Sequence, residues 1–515
     1  MIIVTLLLLS SSLVAVTLSQ SCNIRDTDEG TVCVCNAKYC DSVPSLDVST
    51  GKYQVYSTSK TKLGFESTSG DLTEDGTEIE GASAITLNST TKYQTIIGFG
   101  GAFTDSTGIN IKSLPEDVQS KLMESYFGKS GVEYSLCRVP IGGTDFSTRG
   151  YSYDDVENDT ALEHFALQED DFDYKIPFIQ QANELRGAPI QLFASAWTAP
   201  PWMKTNNDWA GTGFLKEEFY QLWADYILKF FEEYAKQNVT FWGMTTQNEP
   251  IDGFVPNVIL KINDMGWSPS QMNKWIGENL GPTIRNSKYK DLKIMIHDDS
   301  RITLPLLLPI INNETTMKYA DGAAVHWYTD FLIPSIALDL LKSDKEGWFF
   351  ISSEACAGSL KVLGFEEPVE KGSWRRAASY IDDIVDNLEQ GAGGWVDWNM
   401  VLDETGGPTY INNTVDSPIL VNATSKEFYK QPMFYALGHF SKFVIPGSVR
   451  IEASVGEDLE DVRVVAFERP DNVTAVVIYN SGSDEINLQL RDSGSQSATI
   501  KIKAMSINTV LFYEK

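Results

Sequence analysis

Residues 190–250 read IQLFASAWTAPPWMKTNNDWAGTGFLKEEFYQLWADYILKFFEEYAKQNVTFWGMTTQNEP. The stretch opens on a β-rich run, Ile190 to Ala196, that ends at Trp197. It passes through Lys216 to Gln237, where apolar residues recur at helical spacing, and returns to a second β-rich run, Thr240 to Gln247, that ends in Asn248-Glu249-Pro250. Strand, helix and strand in that order make the βα unit of a parallel sheet. The same grammar runs from about Tyr93 to Val401. Its other runs are Thr95 to Gly101, Tyr134 to Ile141, Leu292 to His297, Gly322 to Trp327, Trp348 to Ser353 and Gly394 to Trp398, with another amphipathic stretch at Trp374 to Gln390. Eight such units in an α/β chain predict a closed (β/α)8 TIM barrel.

Reactive groups of such a barrel sit where the strands end, because the loops there converge on one mouth. Arg138 and Asp145 follow the second run, Trp197 the third, Glu249 the fourth and His326-Trp327-Tyr328 the sixth. Ser353-Glu354 ends the seventh, and Asp397-Trp398-Asn399 the eighth. Glycosidic bond cleavage needs a proton for the leaving oxygen and a negative charge on the other side of an oxocarbenium-like centre, and two carboxyls supply both. Glu249 is the candidate acid/base: Pro250 fixes the backbone after it, and the Asn248 amide can bond a sugar hydroxyl. Glu354 is the candidate nucleophile, kept ionised by Arg138 and the Tyr328 hydroxyl. His326 either orients the pocket carboxyls or is a satisfied structural histidine. Cys356 reads as a packed thiol.

The flanks differ. Val449 to Val455, Asp461 to Phe467, Val473 to Tyr479, Ile486 to Leu490 and Ala498 to Phe512 alternate as antiparallel strands, and the turn-rich segment from Tyr53 to Thr86 is expected to pair with them. The expected division is 20–45 with 400–431 as a small antiparallel β subdomain, 46–92 with 448–515 as a β-sandwich, and 93–399 with 432–447 as the barrel. Residues 1–19, uncharged and largely apolar, read as a signal peptide. No other run approaches the ~20 apolar residues of a membrane span.

Cys22, Cys33, Cys35 and Cys40 crowd the start of the mature chain. They allow three pairings, of which Cys22 to Cys33 with Cys35 to Cys40 is favoured, or a zinc site poorly served by Cys-x-Cys spacing without histidine. Sequons at Asn88, Asn158, Asn238, Asn313, Asn412, Asn422 and Asn472 agree with a glycosylating secretory route. A net charge of −29 argues against nucleic acid as a partner.

With Gly98-Phe-Gly-Gly-Ala-Phe-Thr-Asp105, Arg138-Val-Pro, Trp197-Thr-Ala-Pro, Thr246-Gln-Asn-Glu-Pro250, Val325-His-Trp-Tyr328, Ser353-Glu-Ala-Cys356, Asp397-Trp-Asn399 and Tyr429-Lys-Gln-Pro-Met-Phe-Tyr435, nearly the whole mature chain resembles the glucosylceramidases, lysosomal acid β-glucosidases of glycoside hydrolase family 30. The resemblance implies retaining hydrolysis of glucosylceramide to glucose and ceramide, with no cofactor or metal. It implies Glu249 and Glu354 as catalytic residues, and sugar contacts from Asp145, Trp197, Asn248, Tyr328, Trp398 and Asn413. It also implies lysosomal delivery, with secretion to the extracellular space as the alternative, and a saposin-like activator with peripheral membrane contact. Two departures bear on the pocket rim: the loop from Gly358 to Gly372 is longer than in the family, and Ile251-Asp-Gly-Phe-Val-Pro256 lacks a cysteine that relatives carry nearby. The same chemistry on a steryl glucoside, a galactosyl lipid or a β-linked oligosaccharide therefore stays open, as does a sugar-binding or trafficking protein without catalysis.

Overall fold

A computed structural model describes residues 20–46, 48–73, 81–259, 261–359, 364, 366–456, 459–491 and 496–513; the expected signal peptide, 1–19, lies outside the described residues. Eight parallel strands close a barrel in sequential order: β1 (Gly98–Ala102), β2 (Leu136–Ile141), β3 (Gln191–Ala196), β4 (Gly243–Thr245), β5 (Lys293–Ser300), β6 (Gly322–His326), β7 (Phe349–Glu354) and β8 (Gly394–Asn399). All eight expected runs are strands. β1 lies close against β2: a Cβ on Gly100 would stand 2.0 Å from the Leu136 carbonyl oxygen, so only glycine fits there. Helices Tyr220–Lys236 and Trp374–Gln390 form where the sequence placed amphipathic stretches, and the second stops at Gly391, whose φ of 107° is the left-handed cap. Between β6 and β7 the covering element is a 3-10 helix, Ser335–Leu341, that buries Leu338 and Leu341.

The period-two alternation of the strands builds the site's floor. Leu136, Phe193, Met295, Ala324, Ile351 and Val396, from six strands, form a fully buried apolar plug. Two residues further along come Arg138, Ser195, His326, Ser353 and Trp398. Apolar packing thus gives way to a polar layer one pleat higher, at the end where the loops gather. Pairing slips between His297 and Asp299 on β5, between Val325 and His326 on β6, and between Asp397 and Asn399 on β8. Such bulges re-aim side chains at a barrel rim.

A nine-stranded sheet draws on both sides of the barrel. Its order is Ser497–Ile502, Ile486–Arg491, Ser83–Thr95, Val449–Val455, Val462–Glu468, Val473–Asn480, Ser506–Tyr513, Lys52–Ser59 and Lys62–Asp71. It shares an apolar core containing Val55, Ile85, Ile451, Val476, Leu488, Ile500 and Val510. The run expected from Ala498 to Phe512 is two strands, broken before Met505, whose φ is 44°. One half pairs with Ile486–Arg491 and the other with Val473–Asn480 and Lys52–Ser59. A smaller five-stranded sheet joins Ile24–Asp26 and Thr31–Cys35 to Glu427–Lys430, Ile419–Asn422 and Val401–Asp403. The disulfides Cys22–Cys33 and Cys35–Cys40 hold it, so these thiols are not free to bind zinc.

Candidate active site

Asp145, Trp197, Glu249, Tyr328, Glu354, Trp398 and Asn413 line one pocket of about 260 Å³ at the mouth of the barrel. Asn248, Arg138 and His326 lie beneath it, buried. Glu249 is placed by main-chain bonds to both neighbouring strands: the Asn248 N–H donates to the Ala196 carbonyl at 2.9 Å and the Glu249 N–H to that of Asp298 at 3.0 Å. Its φ of 40° is left-handed, a strained conformation that the surrounding bonds hold.

Arg138 organises the floor. Its Nη1 donates to Glu354 Oε2, its Nη2 to Asn248 Oδ1 at 2.8 Å and to Asp298 Oδ2 at 2.7 Å, and its Nε to Ser195 Oγ at 3.0 Å. The Tyr328 hydroxyl donates to Glu354 Oε1 at 2.6 Å. Both nucleophile-candidate oxygens therefore accept a donor. His326 stands between carboxylates, with Nδ1 2.9 Å from Glu249 Oε1 and Nε2 3.1 Å from Asp298 Oδ1. Of the two sequence readings of His326, the orienting one fits this placement. Burial works against its charge, but the carboxylates of Glu354 and Asp298 overcome that and hold it an imidazolium well above the ordinary histidine range. Burial likewise opposes the charge on Asp298, yet Arg138 and His326 hold that carboxyl far below its usual range.

Burial is also the largest influence on the two glutamates, raising both. At Glu249 the hydrogen bond and charge of His326 outweigh it, and the carboxyl sits below the usual range. At Glu354 burial, helped by the Glu249 charge, prevails over His326, Arg138 and Tyr328, and the carboxyl sits above it. One oxygen of each glutamate and a His326 nitrogen lie within 4.8 Å of one another. A cation at that point would need a ring nitrogen that His326 has already committed to a carboxylate.

Trp197 and Trp398 stack with ring centroids 4.9 Å apart, and Arg138 lies 4.7 Å from the centre of the Trp197 ring. Asn413 Nδ2 donates to Asp145 Oδ2 at 2.9 Å. Burial pushes Asp145 up to about 7, against that bond. Burial raises the Cys356 thiol well above its ordinary value, as befits a packed group.

Three acidic residues of the site escaped the sequence reading. Asp298 accepts from Arg138, His326, Ser195, Thr245 and Ser353. Asp252 lines the pocket itself, and burial and the Glu249 charge raise Asp299 to about 7. The polar string His297-Asp298-Asp299-Ser300 at the end of the fifth run was the available signal for two of them.

Residues 96–444 match the glycosyl hydrolase family 30 TIM-barrel domain, and residues 447–510 the β-sandwich domain of that family. The chain is 42% identical over 491 residues to putative glucosylceramidase 3 of Caenorhabditis elegans, covering 94% of this chain and 93% of the relative. It is 39% identical over 488 residues to the lysosomal acid glucosylceramidase of Mus musculus, covering 93% of each. SrfJ of Salmonella typhimurium superposes with a TM-score of 0.81 at 26% identity, over 90% of this chain and all of that one. The two domain matches and the length of these alignments, over a barrel whose mouth holds two opposed glutamates, show that the chain belongs to glycosyl hydrolase family 30 and is a glycoside hydrolase.

Proposed function

We propose that the enzyme is a retaining β-glucosidase that hydrolyses glucosylceramide to glucose and ceramide by double displacement. The observation that carries this reading is the approach of Glu249 and Glu354 oxygens to within 4.8 Å. Retaining enzymes hold their carboxyls about 5–5.5 Å apart, whereas inverting ones leave about 6.5–9.5 Å for a water. Glu354 attacks the anomeric carbon while Glu249 delivers a proton to the leaving oxygen, releasing ceramide and a glucosyl ester. Water then adds to that carbon, Glu249 takes its proton, and Glu354 returns as the carboxylate. Against the burial that raises Glu354, the bonds from Arg138 and Tyr328 favour the ionised nucleophile. Trp197 and Trp398 wall the glucose, and Asp145, Asn248 and Asn413 bind its hydroxyls.

The lipid half of the substrate is supported by the rim. Val258 and Ile259 on the loop after β4 are 82% and 74% exposed, and Phe331 and Leu332 after β6 are 53% and 60% exposed. The same loops reach the pocket through Ile262 and Tyr328. Apolar side chains facing water beside a sugar-sized pocket suit a substrate whose tails stay in a bilayer, with peripheral membrane contact and a saposin-like activator as partners. Two disulfides and the sequons support passage through the secretory pathway to lysosomes, with an extracellular destination as the alternative. Asn158, Asn238, Asn412 and Asn472 are exposed, and we assign glycans to these first. The Asn88 amide already donates to Glu452 and that of Asn422 to Glu404. A β-linked oligosaccharide is the second reading. It is favoured by a cleft of about 400 Å³ that shares Tyr328 and Ser359 with the pocket and is lined by Arg301, Trp327, Asp330 and Asp383.

Turnover of glucosylceramide in mixed micelles, of steryl glucoside and of β-linked oligosaccharides, compared at about pH 5 near the carboxyl range, separates these readings. Glu354→Gln is expected to abolish hydrolysis with the fold intact. Proton NMR of the first-formed glucose should show the β-anomer; the α-anomer would sink the double displacement.

A further inference from the structure

Glu249 must deliver a proton, yet His326 holds it as a carboxylate. The His326 proton is itself held in place, because Asp298 and Glu354 keep that ring charged. The loop after β4 supplies another source. Directly after Pro250 the chain makes a 3-10 turn, Asp252–Phe254, and the Asp252 N–H donates to the Glu249 carbonyl at 3.0 Å. With Glu249 in its left-handed conformation, this turn brings residue 252 back over residue 249. Both side chains line the one pocket, and the two carboxyls approach closely enough to share a hydrogen bond.

Two carboxyls can bond directly only while one of them keeps a proton. The charges that act most strongly on Asp252 are negative: Glu249, Asp299 and Asp264. The positive groups, His326 and Arg138, act on Glu249. Asp299 turns its oxygens to the Ser300 and Ile251 N–H groups, at 2.6 and 3.4 Å. This asymmetry favours the shared proton on Asp252 over Glu249.

We propose that Asp252 is a positioning residue that stores the proton which Glu249 passes to the leaving oxygen, the two acting as one carboxyl pair. The inference rests on the double displacement proposed above. Burial and its acidic neighbours hold Asp252 well above the ordinary aspartate range. In the first step the Asp252 proton moves to Glu249 and on to the glycosidic oxygen. The bond from that oxygen to the anomeric carbon breaks, the bond to Glu354 forms, and the aglycone leaves as an alcohol. The pair gains one negative charge as Glu354 loses one. In the second step the water's proton returns to the pair, its hydroxyl adds to the anomeric carbon, and the ester to Glu354 breaks.

Asp252→Asn keeps the shape and a donor to Glu249 but has no proton to pass on. With a β-glucoside of a poor leaving group, the alkaline limb of kcat/KM should move about one pH unit lower, close to a ten-fold loss near neutrality, with the acid end retained. A dinitrophenyl β-glucoside, whose departure needs no proton, should lose far less, and Asp252→Glu should restore much of the profile. Superimposable pH profiles for wild type and Asp252→Asn would overturn the proposal, as would equal losses on both leaving groups. Infrared difference spectra of the resting proteins give a reading independent of turnover. A protonated-carboxyl band at about pH 7 that Asp252→Asn removes supports the stored proton even if the wild type cleaves no glucoside, an outcome that would refute only the proposed reaction. The same spectra without that band would refute the stored proton in a fully active enzyme.

Discussion

Replacing Asp298 by asparagine removes a charge and almost no volume, and the structure says what that charge supports. One Asp298 oxygen accepts from His326 Nε2 at 3.1 Å and Ser353 Oγ at 2.6 Å, and the other from Arg138 Nη2 at 2.7 Å, Thr245 Oγ1 at 2.6 Å and Ser195 Oγ at 3.2 Å. An asparagine turns an NH2 toward donors on one side and leaves a buried Arg138 short of a counter-charge. Breaking a buried pair in this way costs about 3–5 kcal/mol. At about 2 °C per kcal/mol for a large domain, the melting midpoint should fall by roughly 6–10 °C at pH 5.

The pH dependence of that loss has a sign. The depressed Asp298 contributes stability that is in place above its unfolded pKa of about 3.9 and is lost only as pH falls through its folded value, so it is constant above about pH 5. His326, raised in the fold, contributes stability that is full below about pH 6.5 and is lost as pH rises through its folded value. The Asp298→Asn variant supports the His326 charge less, leaving Glu354 and Glu249 to hold it, so the gap between wild type and variant should be widest near pH 5–6 and narrow above. Because Arg138 also loses its support under Glu354, kcat should drop about a hundred-fold, as for a misplaced reacting group. Calorimetry from pH 5 to 8 beside steady-state kinetics checks both. A variant that melts with the wild type, or a gap that widens with pH, would show that the buried network does not do this work.

Tyr328→Phe deletes the bond to Glu354 Oε1 while leaving the ring in the pocket wall. A hydrogen bond to a charged group is worth about 1.5–3 kcal/mol, so kcat/KM for an aryl β-glucoside should fall by roughly ten- to a hundred-fold with little change in melting temperature. Val258→Asp with Ile259→Asp places two charges on the apolar rim without touching the pocket. Hydrolysis of glucosylceramide in vesicles should fall several-fold while that of a water-soluble β-glucoside stays level, and equal effects on both would remove the rim from lipid contact.

The barrel was legible because its evidence is local. Each strand run is apolar, and each ends in residues that an exposed loop would rarely combine, as Asn248-Glu249-Pro250 and Ser353-Glu354 do. Part of the site follows from that reading alone: with Leu136, Phe193, Ala324 and Ile351 as the plug, alternation points Arg138, Ser195, His326 and Ser353 inward two residues later. What stayed hidden lies where alternation fails. β5 carries left-handed residues at His297 and Asp298, and its pairing with β6 slips there, so an unbroken run read as ending at His297 cannot reveal that Asp298 is the anchor of Arg138. Asp252 was hidden for a related reason, since a 3-10 turn after a left-handed Glu249 folds back on a scale that neither strand nor helix periodicity describes. Asn413 meets Asp145 only because the loops after β2 and β8 converge over the same mouth. The residues that elude periodicity are therefore those that stand behind the groups bonded to the two glutamates, as Asp298 stands behind Arg138 and His326. Bulges and reversed backbone let several charged groups from different strands face one point, and a regular strand, which sends alternate side chains to opposite sides, cannot do that.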